Sequence, residues 1–264
     1  MGNAWILLPL PGTVTASSTA PGYQPGYVLN DYAGVIWKSV AGATADLIID
    51  LGADTNVDSL LLFGCDGAPA ATTLQVTAAT AAQGAGFGST SYAGAAAPLL
   101  AGSVMPVNGR GIALWQAPAG GIPVSRYVRL RFAGLGGGQA AVGRLVIGKR
   151  IQLERNYGNG GSFGVRDLGS LDFSPRGVLL RRRAAKLRTL TLTFSNIRKD
   201  EVEAITKPLL ERIGNTEMIG LVVDPAEDPQ RQNRCYFGPL VGDLANTRRN
   251  AAAWEAKVNL VSLF

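Results

Sequence analysis

The sequence predicts a mainly β protein built in two parts, with one principal helix in the second part. Three observations predict it. Glycine (34) and proline (14) are abundant among the 264 residues, which favours many turns and few long helices. Short runs rich in Val, Ile, Leu and Phe, bounded by Gly, Asp and Asn, recur along the chain and carry the signature of strands. Apolar residues make up 47% and charged residues 17%, enough to build cores, and a domain usually takes ~100–200 residues.

The elements follow in order. LIIDLG (47–52) and VDSLLLF (57–63), separated by the turn-rich ADTN, read as strands, then LQVTA (74–78), GIALWQA (111–117), RYVRLRFA (126–133) and VGRLVIG (142–148). In RYVRLRFA, Val128, Leu130 and Phe132 alternate with Tyr127, Arg129 and Arg131, as in a strand with one face in the core and one in water. Gly/Ala/Ser-rich stretches at 79–103 and 134–141 read as loops. From Ile151 the side chains lengthen and charge rises. RTLTLTFSNI (188–197) is the strongest strand, with Leu190, Leu192 and Phe194 on one face and threonines on the other. The stretch 198–215 reads as a helix carrying Val202, Ile205, Leu209 and Ile213 on one side. Asn196 or Asp200 is placed to cap it, Gly214 to stop it, and Pro208 to kink it. MIGLVVDP (218–225), RCYFGPLV (234–241) and WEAKVNLVSL (254–263) complete a second sheet. The change of texture divides the chain into residues 1–148 and residues 149–264.

Charge follows the same division. Residues 1–140 hold five Lys/Arg against six Asp/Glu, and residues 141–264 hold twenty against thirteen. A basic second half can meet nucleic acid, an acidic protein surface or a symmetry mate, and reads equally as arginines that solubilise a β surface. The absence of histidine excludes Ser-His-Asp and Cys-His catalysis and imidazole zinc ligation. Two cysteines 170 positions apart, Cys65 and Cys235, make neither a thiolate metal site nor a disulfide framework. NYGNGGSFG (156–164) lacks the Gly-Lys-Ser/Thr ending of a phosphate loop and reads as a flexible arm. The carboxylates Asp224, Glu227 and Asp228 sit in a Pro-flanked turn, and Asp200, Glu201 and Glu203 open a helix, where acids complement the dipole. Asp31, Asp50, Asp54 and Asp58 lack a calcium-loop spacing. The expectation is therefore no enzyme, no cofactor and no metal site. The N-terminal MGNAWILLPLPG has no cationic start and is broken by Pro9 and Pro11, so no membrane insertion and synthesis in a host cytoplasm are expected.

Two resemblances add to this. TASSTAPGYQPGYVLNDYAGVIWKS, LIIDLGADTNVDSLLLFG, SRYVRLRFAG and AVGRLVIG together resemble a discoidin-type, galactose-binding-like jelly roll over about 13–148. This implies a sandwich whose loops at one end meet glycans, lipid headgroups or protein. Tyr23, Tyr27, Tyr32 and Trp37 are the candidate ligand-binding residues, although Trp37 reads more readily as a core residue beneath the loops. GVLLRRRAAKLRTLTLTFSNI, the DEVEAI helix, LVVDP…NRCYFGPL and WEAKVNLVSL resemble the hub or belt domain of tailed-bacteriophage distal tail and baseplate proteins over about 149–264. That resemblance implies a virion protein of the tail tip, forming a three- or six-fold homo-oligomeric ring beside tube, hub or fibre proteins. Here the jelly roll precedes the ring domain, whereas distal tail proteins usually carry it second. The alternative is a soluble carbohydrate-binding protein with an accessory β domain. Arg181, Arg182, Arg183, Lys186 and Arg188 place five positive charges within eight positions. Phosphate contact, a subunit interface and an exposed hairpin all remain open for them, the interface being favoured over nucleic acid because aromatic residues are sparse among the charges.

Overall fold

A computed structural model describes all residues except 1, 68, 159, 160, 243, 244, 251 and 252. The protein is mainly β: a jelly-roll β-sandwich and a second β-rich unit with one principal helical segment. The units are not consecutive halves. One comprises Met1–Ile151 and Gly220–Cys235, the other Gln152–Ile219 and Tyr236–Phe264. A single domain over residues 149–264 is thereby corrected, because sixteen residues from its middle belong to the first unit.

In the first unit, one sheet runs in the order Thr13–Ala16, Thr44–Thr55, Ser125–Ala133, Thr73–Ala79, Tyr92–Ala93, with Ala97–Pro98 also on Thr73–Ala79. The facing sheet runs Arg144–Gly148, Ser59–Phe63, Ile112–Gln116. Their inner faces share one core: Leu47, Ile49, Val76, Val128, Leu130 and Phe132 from the larger sheet, and Leu60, Leu62, Ala113, Leu145 and Ile147 from the smaller. The alternation of RYVRLRFA is realised, with Val128, Leu130 and Phe132 buried.

Ser59–Phe63 is buried at every position, so its other face is covered as well. Gly220 lies there: a Cβ added to it would come 2.9 Å from Leu61 Cδ1 and 3.4 Å from Val146 Cγ1. Its strand, Met218–Val222, pairs antiparallel with Trp5–Leu7, Leu7 opposite Gly220. The apolar run MIGLVVDP thus forms the predicted strand but joins a different layer. Gln232, fully buried in the same segment, accepts from the Ile112 N–H (2.9 Å) and donates to the carbonyls of Gly102 (2.6 Å) and Val104 (3.3 Å). It satisfies backbone groups next to the edge strand Ile112–Gln116 that a loop alone would leave unpaired.

In the second unit the sheet order is Ser162–Asp167, Lys186–Ile197, Trp254–Ser262, Asn246–Arg248. Leu190, Leu192 and Phe194 are buried, and the intervening threonines are half-buried. The helical segment covers Lys199–Ile213, with a π-turn at Val202–Thr206 between two α-helical stretches. Pro208 has no N–H for the carbonyl four residues back, and the helix widens immediately before it, the Lys207 N–H reaching Val202 O. Neither Asn196 nor Asp200 caps the helix: Arg198 occupies that position and makes no side-chain cap bond. Asn196 instead takes φ 59° where the register shifts between Phe194 and Ile197.

Candidate functional site

Two surfaces meet the requirements of a binding site. The first is the loop between Ala20 and Trp37 in the sandwich. A short 3-10 helix, Pro25–Leu29, begins it. Asn30 then closes the turn from both sides, its Nδ2 donating to Tyr27 O (2.6 Å) and its Oδ1 accepting from the Tyr32 N–H (2.7 Å). This geometry leaves Tyr32 74% exposed. Tyr23 is exposed and carries the Lys38 ammonium 4.8 Å above its ring, a cation–π contact. Tyr27 is half-buried. Trp37 is the core residue, which corrects its place among the ligand-binding candidates: it is fully buried against Phe132, ring centroids 6.0 Å apart, and presents no face to a ligand.

Beneath this loop lies Arg144. Its side chain is 7% exposed, yet its guanidinium reaches Asp31 Oδ1 at 3.0 Å and Val28 O at 3.4 Å. Burial lowers its pKa and Asp31 opposes that shift. Arg110 supports the loop from another side, donating to Ala33 O at 2.7 Å. Sequence reasoning missed both; an arginine opening an otherwise apolar terminal strand, GRLVIG, was the available signal.

Elsewhere in the unit, Asp50 is held below the usual carboxylate range by its hydrogen bond from Arg126 and by the Gly52 N–H. Both cysteines are buried thiols outside any disulfide, and burial pushes the Cys65 thiol up to about 12. At mildly alkaline pH this thiol stays protonated, and the thiolate is the nucleophile. Cys65 is therefore expected to resist alkylation in the folded chain and to react once denaturant is added, as labelling followed by mass spectrometry will show.

The second surface is a β-ribbon in the second unit. Ser162–Asp167 pairs with Lys186–Thr191, and beyond a kink Ser170–Phe173 pairs with Leu179–Arg182. A turn closed by Gly177 N–H to Ser174 O (2.8 Å) forms the tip. Every residue of the three strands Ser162–Asp167, Ser170–Phe173 and Leu179–Arg182 is exposed. Phe163, Val165, Leu168, Leu171, Phe173, Val178, Leu179 and Leu180 are each about half exposed or more, eight of fifteen such large apolar residues among the described ones. Single exposed apolar residues are ordinary, but a contiguous set this size marks an interaction surface.

Arg181, Arg182, Arg183 and Lys186 line a cleft at the kink with Asp167, Gly169, Ser170 and Leu171. Arg182 faces Ser170 and Arg181 faces Leu171 in register, so the two arginines point to opposite sides of the ribbon. Arg188 separates from this group. Its guanidinium donates to Phe264 O (2.9 and 3.2 Å) and stacks 4.6 Å from the Tyr236 ring, a structural role within the second unit. Among the described residues no group of three or more Cys, Asp or Glu side chains is placed to hold a metal ion, and no helix is long and apolar enough to cross a membrane.

No protein-family model matches the sequence, and no characterised protein matches it. Solved structures resemble the chain in part. Chitosan-binding module 1 of a chitosanase/glucanase from Paenibacillus sp. IK-5 is 17% identical, over 54% of this chain and 98% of that one, with a TM-score of 0.40. The family 32 CBM from C. perfringens NanJ, in complex with galactose, is 13% identical over 55% and 98%, TM-score 0.41. A Streptococcus pneumoniae fucose binding module is 12% identical over 53% and 94%, TM-score 0.38.

Proposed function

We propose that this protein is a non-enzymatic structural subunit that assembles with copies of itself through its second unit. The observation that carries this reading is the ribbon, which exposes eight large apolar side chains beside a cluster of arginines. A two-stranded ribbon is marginally stable alone in water, and covering it on a neighbour buries that apolar surface and shields its open edges. The setting that fits best, on the resemblance of residues 149–264, is the tail tip or baseplate of a phage-like virion. There the chain would form a three- or six-fold ring beside tube, hub or fibre proteins. Electron microscopy of the purified full chain tests the reading: closed rings support it, and isolated single chains contradict it.

A second reading is favoured by one observation, the Asn30-braced display of Tyr32 next to the Lys38–Tyr23 pair. Exposed aromatic rings stack on sugar faces at small entropic cost. A galactose-binding-like sandwich would then contact glycans on a host surface, as the chitosan-, galactose- and fucose-binding modules contact theirs. On this reading Tyr32→Ala weakens retention on a glycan array about tenfold, the effect of ~1.4 kcal/mol, with no change in melting temperature because the ring is largely solvated. Equal retention of the variant and the parent would count against it.

A further inference from the structure

Resting on the assembly reading, we infer the receiving surface: the ribbon of one copy seats in a cleft on the second unit of the next copy, head to tail. The ribbon offers a defined apolar face. Leu171 is opposite Arg181 and Phe173 opposite Leu179 in the antiparallel register, and directly opposite residues share one side of a ribbon. Phe173, Leu171 and Leu179 therefore form an apolar row with Arg181 at its end. Leu171 and Phe173 are more than 60% exposed and Leu179 49%, so this row is apolar surface left in water.

Charge selects the occupant. Residues 162–188 carry seven Lys/Arg against two Asp/Glu, so two ribbons laid side by side repel. The ribbon needs an acidic surface with an apolar floor. Within the second unit the stretch 199–217, the helix and the turn after it, is acidic, with Asp200, Glu201, Glu203, Glu211 and Glu217 against Lys199, Lys207 and Arg212. An open cleft of about 440 Å³ runs along it. Val202, Leu210 and Trp254 supply its apolar lining, Glu203 and Glu211 its carboxylates, and Lys199 and Lys207 line it beside them. Those glutamates form exposed pairs with Lys199 (3.6 Å) and Lys207 (3.9 Å). Such pairs contribute little and yield to an arginine, whose fork matches a carboxylate better.

A ribbon that enters a different surface on its neighbour makes a heterologous contact, which closes into a ring when the rotation allows. This predicts complementation, which a symmetric ribbon-to-ribbon contact does not. Two full-length variants are prepared, one with Phe173→Glu and Leu179→Glu in the ribbon, the other with Glu203→Arg and Glu211→Arg at the cleft. All four positions are exposed, and circular dichroism checks that each variant is folded. By native mass spectrometry, each variant alone is expected as a single chain, and their mixture as a two-chain species, an intact ribbon in an intact cleft. A cleft variant that assembles like the parent, or a mixture that stays single, overturns the proposal while a parent ring leaves the assembly reading standing. A parent chain that is itself single overturns both, and points to a foreign acidic partner for the ribbon.

Discussion

Changing Arg181, Arg182 and Arg183 to glutamate is expected to abolish self-association while leaving the monomer's melting temperature within a degree or two. The substitution takes the 162–188 segment from seven Lys/Arg against two Asp/Glu to four against five, so attraction to an acidic neighbour becomes repulsion. All three side chains are exposed, and surface substitutions away from packed features usually change stability by no more than about 0.5 kcal/mol. Sedimentation velocity of the triple variant beside the parent measures the first effect, and calorimetry the second. A variant that assembles normally at ordinary ionic strength would remove these arginines from the interface. Arg188 provides the contrast. Its guanidinium holds Phe264 O and stacks on Tyr236, so Arg188→Glu acts on the fold of the second unit.

Gln232→Ala is expected to destabilise the first unit by about 3 kcal/mol or more. The substitution leaves the buried Ile112 N–H and the half-buried Gly102 carbonyl without their partner, at ~1–3 kcal/mol for each orphaned buried group. It also removes a side chain that has no solvent exposure. Chemical denaturation of the full chain, followed by a probe in the sandwich, measures the loss. The consequence reaches further than one residue, because the segment Gly220–Cys235 belongs to the first unit although it follows the helix of the second. A fragment ending at residue 148 lacks Leu221 and Val222, both fully buried, and burial of such side chains contributes ~1.5–3 kcal/mol each. That fragment is therefore expected to melt well below the intact chain. A fragment as stable as the intact unit would show that the returning segment adds nothing.

Much of the fold is legible in the sequence because period-two alternation depends on local burial alone. RYVRLRFA and RTLTLTFSNI show their buried faces directly, and Pro208 announces the distortion of the helix, though not its form as a π-turn. Which sheet a strand joins is a different matter. MIGLVVDP reads as a buried strand wherever it packs, and nothing local reveals that Gly220 is the residue small enough to lie over Leu61. The ribbon is the harder case. Leu179, Leu180, Phe173 and Leu171 have the composition of a core, and only the three-dimensional arrangement shows them in water. Trp37 gives the converse: set among tyrosines in a turn-rich segment it reads both as a binding aromatic and, more readily, as a core residue, and it anchors the core beneath the loop that displays Tyr32. The basic run at 181–183 was visible at once, whereas the structural task of Arg188 depends on the distant Tyr236 and Phe264, which no pattern in 176–188 encodes.

Sedimentation equilibrium of the intact chain, over a range of concentration and salt, tests most directly the claim that this protein acts by assembling through its second unit. The account predicts the mass of a closed oligomer of three or six chains, which loosens as salt screens the contact between the arginines and their acidic receptor. The mass of one 27.6 kDa chain, unchanged at every concentration and salt, would contradict it.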